Sequence, residues 1–158
     1  MSTRSSQKVF TKDQTVTRDG LIYHQDTNEL VTGTVEEFHR DGQLQYRGNY
    51  IDGLQDGLGE SFHENGQLET RHNFIDGELD GLFEFFYGNG RSRTIGNLID
   101  GVLEGLVEDF DENGQLSARG NYIDGKENGL FEGFNENGNL TRTETYRNGE
   151  LVETNENP

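Results

Sequence analysis

Five glycines, Gly33, Gly57, Gly81, Gly105 and Gly129, stand 24 residues apart with no insertion between them. A fixed period of this length means that one supersecondary unit is repeated, each copy burying its apolar surface against its neighbours. Unit two reads GLGESFHENGQLETRHNFIDGELD and unit four GLVEDFDENGQLSARGNYIDGKEN, one pattern under different surface residues.

Each unit has an aromatic at its sixth position (Phe38, Phe62, Phe86, Phe110, Phe134). A turn dipeptide follows: Asp41-Gly42, Asn65-Gly66, Asn89-Gly90, Asn113-Gly114 and Asn137-Gly138. Asn-Gly and Asp-Gly between half-apolar runs signal a hairpin, because glycine takes positive φ without steric cost. A second turn closes every unit at Asp52-Gly53, Asp76-Gly77, Asp100-Gly101, Asp124-Gly125 and Asn148-Gly149, joining each hairpin to the next. The fold class predicted is all-β, an elongated antiparallel meander of tandem β-hairpin repeats of about ten strands. In unit two the strands are expected over 58–63 and 67–75, and a partial hairpin is expected around 20–33. The repeat array is placed at 17–151, with polar tails at 1–16 and 152–158.

Loop length decides which residues face each other. A three-residue loop, Glu64-Asn65-Gly66, sets Phe62 opposite Leu68 and gathers Leu58, Phe62, Leu68 and Phe74 on one apolar face. A two-residue loop sets Glu60 opposite Arg71, Glu36 opposite Arg47 and Glu108 opposite Arg119. The first is preferred because it builds an apolar stripe.

Leu, Ile, Val and Phe make up about a quarter of the chain, above the roughly 20% below which chains stay disordered. A thin core follows. One Ala among 22 Gly argues against helix,. Unit three departs from the pattern with Ser92 and Leu98, and Phe83, Phe85, Phe86 and Tyr87 load its first strand, marking it as an apolar centre. Arg147 replaces the Ile of positions 51, 75, 99 and 123, a charge suited to guarding a sheet edge. The amino terminus has no apolar signal segment, and no run reaches the length of a membrane span; a cytoplasmic location is expected.

The unit G-L-x-E-x-F-x-x-N-G-x-L…N-Y-x-D-G resembles the variant MORN repeat, and DGLIY…LVTG resembles the opening of YwqK-type bacterial antitoxins. The match spans roughly residues 19–151. It implies a hairpin-repeat sheet and the neutralising half of a toxin–antitoxin pair. Val35, Gly59 and Val107 stand where that family often has a large aromatic.

A net charge of -17 disfavours nucleic acid and anionic membranes as partners and favours a basic protein. The fourth position is always glutamate: Glu36, Glu60, Glu84, Glu108 and Glu132. Equivalent residues lie two strands apart, about 9–10 Å, too far to share a metal ion or form a catalytic carboxylate pair, but suited to separate contacts with Lys or Arg. These glutamates, with Tyr46, Tyr50, Tyr87 and Tyr122 as aromatic anchors, are the candidate partner-binding residues; pairing of the glutamates with neighbouring arginines is the plainer alternative. His39 and His63 are equivalent but equally far apart, so no metal is expected. Absence of cysteine removes thiolate chemistry,. No nucleotide, calcium or hydrolase motif occurs, so no cofactor and no enzymatic activity are expected. The function predicted is protein binding, with a structural scaffold, membrane- or envelope-associated, as the rival.

Overall fold

The computed structural model describes residues 8–156. Its strands are β1 (Val9–Thr11), β2 (Thr15–Arg18), β3 (Leu21–His24), β4 (Gly33–Phe38), β5 (Leu44–Ile51), β6 (Leu54–Phe62), β7 (Leu68–Ile75), β8 (Glu78–Phe86), β9 (Ser92–Ile99), β10 (Val102–Leu103), β11 (Gly105–Phe110), β12 (Leu116–Ile123), β13 (Lys126–Glu127), β14 (Gly129–Phe134), β15 (Leu140–Arg147) and β16 (Glu150–Glu156). One sheet runs in the order β1-β4-β5-β6-β7-β8-β9-β11-β12-β14-β15-β16, with β10 and β13 pairing beside β9 and β12. From β4 to β16 every pairing is antiparallel. The expected meander is what forms.

Two turn types alternate along it. Ile51 pairs with Leu54 across Asp52-Gly53, with φ of 47° and 81°. Positive φ at both central residues is the type I′ turn, whose twist matches that of the strands. The same conformation recurs at Asp76, Asp100, Asp124 and Asn148. The other turn is longer. His63 N–H donates to the Gln67 carbonyl at 2.8 Å and Gly66 N–H to the His63 carbonyl at 2.8 Å, enclosing the three-residue loop Glu64-Asn65-Gly66.

Both competing registers are realised at once. Phe62 pairs with Leu68, as the three-residue loop requires, but Ser61 pairs with Thr70, so Glu69 is extruded as a bulge. That extra residue brings Glu60 opposite Arg71 and Leu58 opposite Asn73. The expected grouping of Leu58 with Phe74 is therefore corrected. Phe74 pairs with Gly57 and Leu79, and alternation puts it on the face opposite to Leu58, Glu60 and Phe62. The first strand of the unit also begins earlier than expected, at Leu54, because the type I′ turn pairs residues directly beside it. Gly57, with φ of 91°, is the bend within that longer strand.

The terminal segments form strands where tails were expected. β1 pairs in parallel with β4, setting Phe10 beside Val35, and β2 and β3 form a separate hairpin. The partial hairpin expected at 20–33 thus lies at 15–24, with Leu30 bridged to Tyr23. Ile22, Val31 and Val35 bury against one another, with Phe10 and Tyr50 packed beside them; Val31 is 1% exposed. Of this cluster Phe10 alone lies within the described part of 1–16, its partners being far along the chain, which explains why that segment reads as a tail. At the other end β16 pairs with β15 as far as Glu156, held in register by the Asn148-Gly149 turn. Residues 1–7 and 157–158, also expected to be tails, lie outside the described residues. In unit three Phe83 is buried, 7% exposed, between His72 and Phe85.

Candidate protein-binding surface

A single-layer sheet offers two faces, and alternation assigns each repeat position to one of them. The glutamate face carries the fourth-position row. Glu60 accepts hydrogen bonds from Arg47 Nη2 at 2.7 Å and Arg71 Nε at 3.3 Å. Arg71 also lies 3.8 Å from Glu84, and Arg119 Nε donates to Glu132 at 2.6 Å. Each of these arginines lies over the sixth-position phenylalanine of the next unit: Arg47 over Phe62, Arg71 over Phe86 and Arg119 over Phe134, at 5.7–5.9 Å. The glutamates are thus built into a Glu–Arg–Phe lattice. Glu36 stands opposite Arg47 and Glu108 opposite Arg119 in register. The Glu60 side chain is only 12% exposed, which leaves a partner little of it to touch.

The same face exposes two apolar rows. Leu58, Leu82, Leu106 and Leu130 are each about half exposed, as are Ile51, Ile75, Ile99 and Ile123. The leucines stand opposite Asn73, Asn97, Asn121 and Thr145. Short polar partners leave them uncovered.

Along the adjacent rim run Asp52, Asp56, Asp76, Glu78, Asp80, Asp100, Glu104 and Asp124, with no base among positions 52–56, 76–80 and 100–104. Several tie one unit to the next. Asp76 N–H donates to Asp56 at 3.3 Å, Asp100 N–H to Asp80 at 3.1 Å and Asp124 N–H to Glu104 at 3.0 Å.

The opposite face is aromatic. Tyr46, Tyr50 and Tyr122 lie there with Phe74, Phe83, Phe131 and Tyr146. Rings lie on glycines: a Cβ on Gly96 would come within 2.5 Å of the Phe83 ring, and one on Gly120 closer still to Phe131. Burial pushes the Tyr50 phenol up to about 12, aided by the neighbouring Tyr46 and Glu37. Burial likewise raises Tyr46. Gln55 donates to the Tyr46 hydroxyl.

The nine sequence-predicted site residues therefore do not form one surface. The five glutamates lie on one face, and Tyr46, Tyr50 and Tyr122 on the other. Tyr87 sits at a hairpin tip, donating from its hydroxyl to the Phe110 carbonyl at 2.7 Å. His39 and His63 occupy the same tip position, with Nε2 3.3 Å from the Phe62 and Phe86 carbonyls. A carbonyl only accepts, so Nε2 carries the proton. Among the described residues no group of three or more His, Asp or Glu could hold a metal ion. What sequence reading missed are the leucine row and the acids of position 24. Both recur at the period; only the strand face, hidden by the bulge, separated them from the core.

Against known families, the MORN repeat variant matches residues 31–52, 55–76, 103–124 and 127–148, more than half of the chain. This chain is a member of the MORN repeat variant family. The widest gap between matches, 77–102, holds nearly all of unit three, in which Ser92, Ile95 and Leu98 replace the Leu, Arg and aromatic of its neighbours. No curated protein matches this MORN repeat chain. Among solved structures it is similar to the crystal structure of TarM, at 16% identity and a TM-score of 0.40, covering 62% of this chain and 19% of that one. It is also similar to a mutant of S. aureus TarM in complex with fondaparinux, alpha-GlcNAc-glycerol and UDP, at 16% identity and a TM-score of 0.41, covering 61% and 19%. The chain thus spans about a fifth of the TarM chains it matches.

Proposed function

We propose that this MORN repeat variant protein is a non-catalytic binding ribbon whose glutamate face takes a basic protein, and that it acts as the neutralising half of a toxin–antitoxin pair. The observation that carries the reading is the pair of half-exposed Leu and Ile rows beside an acidic rim. Contiguous exposed apolar surface bordered by charge is characteristic of a protein contact. A basic partner would be steered by the rim and held by the apolar rows, since complementary charge acts on association rate and desolvated contact on lifetime. A basic nuclease whose positive substrate groove is occluded by the ribbon fits this chemistry.

The test is capture from the native host at low salt, followed by co-expression with any toxic protein encoded beside this chain. Rescue of growth by the wild type, and its loss in Leu82→Glu/Leu106→Glu, is the expected result. Asp80→Asn/Glu104→Gln should slow association at low salt and leave dissociation nearly unchanged. Rescue that survives the leucine changes would remove the glutamate face from the contact. Capture of many envelope proteins and no single basic one would move the function to a scaffold.

A further inference from the structure

The hairpin tips of the Asn-Gly turns are tied to their neighbours in the first half of the array and not in the second. In units one to three the seventh-position side chain reaches a carbonyl of the next unit: His39 to Phe62, His63 to Phe86 and Tyr87 to Phe110. The turn asparagines do the same, with Asn65 Nδ2 donating to the Gly88 carbonyl at 2.8 Å and Asn89 Nδ2 to the Glu112 carbonyl at 2.9 Å. In units four and five the seventh residue turns inward. Asp111 Oδ1 accepts from the backbone of Asn113 and Gln115, and Asn135 Oδ1 from Asn137 and Asn139. Among the described residues the carboxamides of Asn113 and Asn137 find no hydrogen-bond partner, and both residues are exposed.

From this contrast we propose that Asn113 and Asn137 are sites of spontaneous deamidation, and that the ties between units protect Asn65 and Asn89. The chemistry needs only water. The backbone nitrogen of Gly114 attacks Cγ of Asn113, forming a C–N bond as the bond to the amide nitrogen breaks. Ammonia leaves with the proton of the Gly114 N–H, and water opens the succinimide to aspartate or isoaspartate. Gly138 and Asn137 react in the same way. Glycine leaves the attacking nitrogen unhindered, but Gly114 N–H and Gly138 N–H each bond to a carbonyl of their own turn at 2.8 Å, so the turn must open first. Opening is cheaper where fewer bonds cross to a neighbour. The carboxamides of Asn65 and Asn89 must each give up two hydrogen bonds, one to the next unit's carbonyl and one from the N–H of Gln67 or Arg91, which slows them at least about fivefold.

Two other Asn-Gly pairs, Asn128-Gly129 and Asn148-Gly149, belong to the opposite side of the unit. There the attacking Gly149 N–H is held by the Glu127 carbonyl of the preceding unit at 2.8 Å, and Asn128 is half-buried with its N–H bonded to Asn121. The aspartate product is compatible with the fold. Asp41 already occupies the equivalent place in unit one, where its Oδ1 accepts from Gln43 N–H at 3.0 Å. Isoaspartate lengthens the backbone and has no such precedent in the array.

The experiment is incubation of the full chain in warm, mildly alkaline buffer made with heavy-oxygen water, with peptide mass spectrometry over time. Asn113 and Asn137 should convert first, at least about fivefold faster than Asn65 and Asn89. Equal rates at all four sites, or faster conversion at Asn65 and Asn89, would overturn the proposal. Two variants test the tie itself. Tyr87→Asp should accelerate Asn89, and Asp111→Tyr should slow Asn113; rates unmoved in both, with the circular dichroism of the wild type retained, would also overturn it.

Discussion

Gly96 and Gly120 lie in β9 and β12 without positive φ, so the backbone does not demand glycine there. The Phe83 and Phe131 rings lying on them do. Gly120→Ala should therefore destabilise the sheet by about 1–3 kcal/mol through overpacking, measured by urea denaturation. Gly133→Ala is the control, because its nearest neighbour would be Arg142 Cβ at an ordinary 3.8 Å. It should be neutral or stabilising by roughly 0.5–1 kcal/mol, since glycine weakens a strand. His72 occupies the position held by Gly48, Gly96 and Gly120 in other units, and burial lowers its pKa from 6.5. The folded chain then resists a proton that the unfolded chain binds. Its contribution to stability is intact above pH 6.5 and is lost as pH falls through the lowered value. Urea midpoints taken from neutral to mildly acidic pH should decline, and His72→Phe should remove part of that decline. Tyr50 acts with the opposite sense on the alkaline side: its raised pKa favours the folded state below pH 10, an advantage lost as pH rises towards about 12,.

At the scale of the turn and strand, the Asp-Gly connections hold aspartates at φ near 50°, a region that β-branched residues avoid. Asp100→Val should cost about 1–3 kcal/mol, whereas Asp100→Asn should be close to neutral; thermal melts of the two variants check the difference. These turns were legible in the sequence because Asp-Gly and Asn-Gly state their conformation locally. The faces were not. Glu69 sits in the bulge with nothing in its chemistry to mark it, and one extra residue is enough to send Phe74 to the opposite face from Leu58. That also explains why the tyrosines and glutamates looked like one site in the sequence: period locates residues along the ribbon, but bulges decide which side they occupy. The N-terminal strands were hidden for another reason. β1 owes its place to Phe10 packing beside the Ile22, Val31 and Val35 cluster, a contact between distant segments that no local pattern announces.

Across the whole molecule, each unit touches mainly the units beside it, so stability is close to a sum of unit and neighbour terms. Removing residues 105–128, one full period, should leave a folded sheet with the same circular dichroism and a lower melting temperature. Removing 105–127 should unfold everything beyond the junction, because a one-residue slip exchanges the two faces. The parallel pairing of β1 with β4 sets the direction in which such an array can lengthen. A copy of the unit inserted ahead of Gly33 would have to displace β1, because the antiparallel partner that β4 would receive from it belongs where β1 lies. The other end makes no such demand: Asn148-Gly149 repeats the connection used between all earlier units, and β16 fills the place of the next first strand. Duplication is therefore tolerated downstream of the first hairpin and resisted before it, which gives the array a polarity that the uniform 24-residue period conceals.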